Sequence, residues 1–372
     1  MSGPPASSAA WRVRARVFAE RVLLPEAEAI DATDRFPDGM VPQLADEGFL
    51  GVGLPLEHGG SGSGPASVAA VIEELAKGSA AVATLVSVHL AVCAQPIARF
   101  GSNGQKARYL GPLASGQWLG AFALTEPGAG SDAASIGCRY ERTQDGGFRL
   151  DGTKTFITNA QRADVLLLFA RRREPEGVHG ISAFLLPKGT PGLTVARPFE
   201  KLGLHGSETH EVRLDGVRLP GDALLGEEGG GLAIALGSLA SGRVGIAACA
   251  LGVAQAAYDH LQGTVRSEPT DARRSVLARA FVQLLAARAL VERAAERMER
   301  GEPFVAEAAA AKLAASEAAV QLSSTAVELG GPAAARSSSP AQRLWRDARV
   351  FPIVEGTTEI QEMILGRSLL GP

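Results

Sequence analysis

Phe148-Arg149-Leu150-Asp151-Gly152-Thr153-Lys154 is where the chain changes its period. Apolar and polar residues alternate along it, and its Asp-Gly pair is the strongest short signal for a hairpin turn. Val165–Ala170 and Ile181–Leu186 are short apolar runs bounded by polar residues or glycine. Val212, Leu214, Val217 and Leu219 flank a second Asp-Gly pair, Asp215-Gly216. Four or more short strands at this spacing predict a small antiparallel sheet or barrel over residues 118–225.

On either side the period is helical. Val68, Val71, Ile72 and Leu75 recur at helical spacing, and the alanine-rich run Ala80–Arg99 follows. Leu277, Phe281, Leu284, Val291, Ala295 and Met298 hold helical phase through most of Ser275–Glu299. Gly301-Glu302-Pro303 is a stop, Phe304–Leu329 resumes the pattern, and Gly330-Gly331-Pro332 ends it. Ala333–Ser339 reads as a loop. The fold class expected is α+β, mostly α: a helical domain over 1–117, a β-domain over 118–225 and a helical bundle over 226–372.

Composition removes several functions. With 372 residues, of which 46% are hydrophobic, the chain can build a large core in two to three domains. Its 37 basic and 40 acidic residues leave a formal charge of −3, which argues against a polyanion-binding face. Aromatic residues are only 5%, too few for a base-stacking platform. Cys93, Cys138 and Cys249 lie far apart, so neither a disulfide framework nor a zinc site is indicated, and a reducing compartment fits. The first residues lack the apolar run of a signal peptide. Gly231–Ala254 is apolar but broken by Gly, Ser and Arg243, as in a buried helix of a soluble protein. A cytoplasmic location is expected.

No metal site is expected. His58, His89, His179, His205, His210 and His260 never pair at i,i+4 around a carboxylate. His205 and His210, beside a predicted strand, read as solvated or locally hydrogen-bonded. Hydrolase, P-loop and dinucleotide fingerprints are absent. Two segments stand apart. Ala121-Phe122-Ala123-Leu124-Thr125-Glu126-Pro127-Gly128-Ala129-Gly130-Ser131-Asp132 runs from a strand into a Pro/Gly turn rich in hydroxyl and carboxyl groups. Exposed N–H groups there can hold a phosphate or a ring carbonyl; the turn is otherwise an ordinary tight loop. Val354-Glu355-Gly356-Thr357-Thr358-Glu359-Ile360-Gln361 sets a carboxylate after the apolar Phe351-Pro352-Ile353-Val354, then two hydroxyls before a helix. Thr358 and Gln361 are spaced as a capping box. Glu355 is either a surface residue or, emerging from apolar surroundings, a general base with a raised pKa.

In order and separation, both segments resemble the acyl-CoA dehydrogenase flavoprotein family. Supporting stretches run the length of the chain: Glu57-His58-Gly59-Gly60, Arg99-Phe100-Gly101-Ser102, Asp151–Asn159, Lys201–Ser207, Ser241-Gly242-Arg243, Glu328–Gly331 and Arg346-Asp347-Ala348-Arg349. The resemblance implies an N-terminal helical domain, a middle β-domain and a C-terminal four-helix bundle. It also implies FAD as cofactor and α,β-desaturation of a short or medium acyl thioester. Phe122, Leu124, Thr125, Gly130 and Ser131 would pass beside the flavin, with Ser131 where substrate and FAD meet. Phe156, Ile157 and Thr158 would cover the ring. Glu328, Leu329, Gly330, Gly331, Thr357 and Glu359 would hold the rest of FAD, partly across a subunit boundary. Arg243 and Gly356 would contact substrate. Glu355 matches the catalytic base, and Leu239-Ala240-Ser241-Gly242, where some members carry that base, has no carboxylate. The implied partners are an acyl-CoA or acyl-carrier-protein thioester, an electron-transfer flavoprotein as acceptor, and further copies of the chain in a tetramer or dimer.

One stretch departs from the family. Members carry an Arg-x-x-Phe-Gly segment after the first long C-terminal helix, reaching the FAD of a neighbouring subunit. Here Thr264–Arg274 lacks Phe-Gly and is several residues short, with Arg266, Arg273 and Arg274 as possible substitutes. Val354 stands for the Tyr usual before the base, and Pro332–Ser339 for a Gly-rich stretch. Weakened FAD retention is the expected consequence. A carrier-protein-linked substrate is the alternative activity. A non-catalytic thioester binder is a lesser one, against which the trio Glu355, Arg243 and Thr158 weighs.

Overall fold

The computed structural model describes residues 7–173 and 180–371; His179 lies outside them. Helices α1 (Ser8–Phe18), α2 (Leu24–Thr33), α3 (Met40–Asp46), α4 (Pro65–Gly78), α5 (Ala80–Ser87), α6 (Gln95–Phe100) and α7 (Asn103–Ala114) come first. Helix α4 buries all four periodic residues, Val68, Val71, Ile72 and Leu75. It also buries Glu73 and Glu74 on its other side, where Arg12, Arg16, Lys77 and Arg288 neutralise them. A helix buried all round is central, and α4 packs against α1, α8 and α9. Between α5 and α6 the backbone passes through a π-helical stretch, Val88–Ala94. Its His89 is fully buried and holds two distant backbone groups. Nδ1 accepts the Gly120 N–H at 3.1 Å, so Nε2 donates to the Leu50 carbonyl at 3.1 Å. Burial pushes its pKa down to about 4, keeping the ring neutral.

Eight strands follow among the described residues: β1 (Gly120–Ala123), β2 (Arg139–Arg142), β3 (Phe148–Thr158), β4 (Val165–Arg172), β5 (Ile181–Pro187), β6 (Leu193–Pro198), β7 (Thr209–Leu219) and β8 (Leu224–Leu225). The sheet order is β6-β7-β3-β2-β4-β5-β8, with β1 also on β4. The sheet is mostly antiparallel, as expected, but two pairings are parallel. Strands β1 and β2 run in line along one edge of β4, β1 against Val165–Leu168 and β2 against Arg171 and Arg172. Between them the chain detours through Leu124–Gly137, so the Pro/Gly segment interrupts what would otherwise be one strand.

The two Asp-Gly pairs are not hairpin turns, contrary to the sequence reading. Both lie in mid-strand, and they face each other. Leu150 pairs with Val217 and Gly152 with Leu214, leaving Asp215-Gly216 opposite Asp151 in a β-bulge. The Asp151 carboxylate accepts the displaced Gly216 N–H at 2.7 Å. A Cβ on Gly152 would lie 2.8 Å from Cys138 Cα, so close packing explains that glycine. The turn joining β2 to β3 uses a third Asp-Gly pair, Asp145-Gly146, where Gly146 has φ +83° and Thr143 N–H bonds Gly147 O.

The C-terminal unit has three long helices, α8 (Gly231–Ser267), α9 (Asp271–Glu299) and α10 (Val305–Ala334), and two short ones, α11 (Pro340–Ala348) and α12 (Thr358–Leu370). The long three pack on one another, and the short two on α10. Helix α8 is buried from Gly242 through Ala254, which accounts for its apolarity. Helix α10 breaks at Gly331 (φ +61°), where the glycine pair and Pro332 predict its end; Ala333 and Ala334, read as loop, continue beyond the kink.

Candidate functional site

Between α11 and α12 the chain makes a tight turn that aims Glu355 inward. Glu355 has φ +55° and Gly356 φ +94°, a left-handed pair that only the second residue adopts cheaply. Side chains from three helices hold it. Arg243 of α8 donates Nε to the Glu355 carbonyl at 3.4 Å. Lys312 of α10 donates Nζ to the Gly356 carbonyl at 2.7 Å. Gln361 of α12 donates Nε2 to the same carbonyl at 2.8 Å and lies 3.4 Å from that of Glu355. The expected Thr358–Gln361 capping box is therefore not formed. Thr357 is the N-cap and makes no side-chain cap bond; its side chain bonds the Glu359 carboxylate, and Gln361 is committed to the turn.

Glu355 is half-buried, and its Oε2 is buried with no hydrogen-bond partner. Burial pushes its pKa up to about 7, against the opposing pull of Arg243 and Lys312. Space for the carboxylate comes from Gly242, where a Cβ would lie 2.6 Å from Oε2. The helix position without a carboxylate is thus the one that the carboxylate from another element occupies. Lys312 escaped the sequence reading, and Gln361 was read only as part of a cap. A lysine on an otherwise apolar stretch, Ala308–Ala315, was the available signal for the first.

A second cluster forms where β1 ends. Lys154 is buried at 0% exposure and bonds the Leu124 carbonyl at 2.9 Å and the Glu126 carboxylate at 2.7 Å. The same carboxylate accepts the Gly137 and Cys138 N–H groups. Thr155 N–H bonds the Thr125 carbonyl at 2.8 Å, joining the Pro/Gly segment to β3. There β3 carries a second bulge: Lys154 pairs with Val212 but Ile157 with His210. The extra residue, Phe156, has φ +56° and is 63% exposed, stacked on Phe199 at 4.9 Å. Thr158 is half-buried beside Thr209, and Phe122 is half-buried with its ring edge-on to Phe169. Leu124 is buried, Thr125 half-buried, and Gly130 and Ser131 are exposed. Ile157 points the other way, into the core of the sheet, so its side chain does not share the surface of Phe156 and Thr158.

A third feature is an open cleft of about 460 Å³ between the α8–α9 connection and the α10 kink. Leu329, Gly330 and Gly331 line one side; Thr264, Glu268 and Arg273 line the other. The connection is three residues, Glu268-Pro269-Thr270. Of the three candidate arginines, Arg273 faces this cleft and is paired with Glu268 at 2.6 Å; Arg274 pairs with Asp271. Glu328 and Glu359 are exposed, on α10 and at the start of α12. Among the described residues no His, Cys, Asp and Glu group could hold a metal. His205 bonds the Asp31 and Lys201 carbonyls, and His210 that of Ala196.

Family profiles described as acyl-CoA dehydrogenase N-terminal, middle and C-terminal domains match residues 6–117, 121–217 and 229–370. An acyl-CoA dehydrogenase of Bacillus subtilis is 42% identical over 97% of both chains. A short-chain-specific acyl-CoA dehydrogenase of Megasphaera elsdenii is 39% identical over 95% of both. The structure of butyryl-CoA dehydrogenase from Megasphaera elsdenii superposes with a TM-score of 0.95 at 36% identity, covering all of both chains. A prolyl acyl carrier protein oxidase superposes with a TM-score of 0.91 at 27% identity, covering 99% of this chain and all of the other. The chain belongs to the acyl-CoA dehydrogenase family and is an FAD-dependent oxidoreductase.

Proposed function

We propose that this protein desaturates a short-chain acyl-CoA, with Glu355 as the base that removes the α-proton. The carrying observation is the orphaned, buried Glu355 Oε2, a strong acceptor left free beside two cations that bond elsewhere. A buried carboxylate without a partner costs stability, and a reacting proton is the partner that makes sense of it. The residues around β1 and β3 fit a flavin. Phe156 offers an exposed aromatic face beside the Thr158 hydroxyl, and nothing lies within 4 Å of a Cβ built on Gly128 or Gly130. FAD bound there supplies the acceptor for the β-hydride.

The chain's own residues prepare the proton transfer. Burial of Oε2 holds the Glu355 pKa near neutrality, where the group is a competent base yet substantially ionised. Arg243, Lys312 and Gln361 fix the turn, so the carboxylate is placed before substrate arrives. The short chain length rests on the likeness to the short-chain-specific dehydrogenase of Megasphaera elsdenii and to the butyryl-CoA dehydrogenase structure from that organism.

The cleft at Leu329–Gly331 is open, and α9 exposes Phe281, Val282 and Leu285. Both features favour a homo-oligomer, tetramer or dimer, in which a neighbouring copy completes the dinucleotide site. An electron-transfer flavoprotein is the proposed acceptor, and the cytoplasm the proposed location. The three-residue α8–α9 connection, with the likeness to a carrier-protein oxidase, favours one second reading: a carrier-linked acyl thioester as substrate.

The test is anaerobic mixing of FAD-loaded protein with butyryl-CoA or a butyryl carrier protein, following bleaching of the oxidised flavin band. Glu355→Gln should keep FAD and bleach about 10²–10⁴-fold more slowly. Bleaching at the wild-type rate would remove Glu355 from the reaction.

A further inference from the structure

The feature the reaction leaves unexplained is a buried lysine. Lys312 is 0% exposed on α10, in the run Ala308-Ala309-Ala310-Ala311-Lys312-Leu313-Ala314-Ala315. Its one hydrogen bond goes to the Gly356 carbonyl, 2.7 Å away. That carbonyl is already served by Gln361 Nε2 at 2.8 Å. A neutral donor would serve as well without the cost of burying a charge. The helix therefore carries an ammonium group where packing and hydrogen bonding ask only for a neutral donor of similar size.

Resting on the assignment of Glu355 as base, we propose that Lys312 is a positioning residue for it. Lys312 clamps the Glu355-Gly356 turn from behind, and its charge favours the ionised carboxylate without bonding it. The geometry separates two tasks. A cation bonded directly to the carboxylate would stabilise it strongly and make it a poor base, whereas one bonded to the next residue's carbonyl stabilises it through space and leaves Oε2 open.

The charged groups around the carboxylate are few. Helix α8 contributes Arg243, α10 contributes Lys312, and α12 contributes Glu359, which acts on Lys312. Val92 of the π-helical stretch, which packs beside Gly242, adds no charge. Arg243 and Lys312 both favour the ionised form against burial, which opposes it. Lys312 is itself pulled down to about 8 by burial, so it is still mostly protonated where Glu355 titrates, at about 7.

The experiment uses FAD-loaded full-length protein with Lys312→Met, Lys312→Gln and Lys312→Arg. Two readouts are taken against pH: single-turnover flavin reduction by butyryl-CoA, and the infrared carboxyl band identified by its loss in Glu355→Gln. Lys312→Met should move both midpoints up by about one pH unit. With a starting value of about 7, that leaves about fivefold less ionised base at pH 7. Lys312→Arg should restore the midpoint. If the methionine variant does not fold, Lys312→Gln carries the test, since it keeps a donor and removes only the charge. Unmoved midpoints in the neutral variant would overturn the inference while Glu355 stays the base. Wild-type reduction by Glu355→Gln would instead remove the base assignment, and the inference with it. A midpoint that shifts as far in Lys312→Arg as in Lys312→Met would also overturn it, because the charge would then not be the cause.

Discussion

A single methyl group at Gly242 should disable the enzyme without unfolding it. A Cβ built there lies 2.6 Å from Glu355 Oε2, 2.9 Å from its Cδ and 2.8 Å from Val92 Cγ1. To recover ordinary contact at 3.4 Å, the carboxylate oxygen must retreat by about 0.8 Å. The carboxylate can swing away, but Val92 is a buried branched side chain, so the overpacking costs about 1–3 kcal/mol. Gly242 lies inside α8, where replacing glycine by alanine favours the helix by roughly 0.5–1 kcal/mol. The two effects oppose each other, so Gly242→Ala should melt within a few degrees of the wild type. The rate should behave differently. A displacement of about 1 Å in a reacting group costs about 100-fold, so flavin reduction by butyryl-CoA should slow by roughly that factor at an unchanged flavin content. Stopped-flow bleaching and a thermal melt on the same sample separate the two quantities. Reduction within threefold of the wild-type rate would refute the reasoning, because it would mean that the carboxylate does not work from the position it holds beside α8.

Three other perturbations probe the rest of the site. Flavin reduction should fall about tenfold per unit as pH drops below about 7, the value to which burial raises Glu355, because the base must be ionised; a limb centred near 4.5 would show an exposed carboxylate instead. Phe156→Ala should cost little stability, since the ring is 63% exposed, yet weaken FAD binding and perturb the flavin spectrum; equilibrium dialysis and a melt distinguish this from a packing role. Lys154→Met strips the partner from the buried Glu126 and should destabilise by about 3–5 kcal/mol, read as a large drop in melting temperature, with Glu126→Gln in addition recovering part of the loss.

What could be read from the sequence follows from the range over which each signal acts. The helix–sheet–helix order was legible because hydrophobic period is local: Val68 to Leu75 and Val212 to Leu219 carry their burial in their own spacing. The Asp-Gly pairs misled for the converse reason. Such a dipeptide says that the backbone needs left-handed freedom, and a bulge asks for that as readily as a hairpin turn does. Asp151-Gly152 and Asp215-Gly216 become a bulge only because they face each other across two paired strands, 65 residues apart between Asp151 and Gly216. No window along the chain contains both. The parallel pairing of β1 and β2 with β4 was hidden likewise, since it depends on where the detour at Leu124–Gly137 re-enters the sheet.

The same distinction explains why Glu355 was legible and its supports were not. The apolar run before Glu355 and the glycine after it left it open between a surface residue and a base, and the family resemblance singled it out. Arg243 stands 112 residues away and Lys312 stands 44 residues from Gly356, and each meets the turn only when three helices close around it. The closure also sets the chemistry. Glu355 on an isolated peptide would be an ordinary carboxylate; inside the fold, burial raises its pKa and two cations limit the rise. Neither influence suffices alone. Without the cations burial would push the group further toward its protonated form, and in water it would be ionised but a weaker base. A carboxylate that burial raises and two cations restrain therefore needs helices α8 and α10 at one turn, and the packing of α8 on α10 brings Arg243 and Lys312 there.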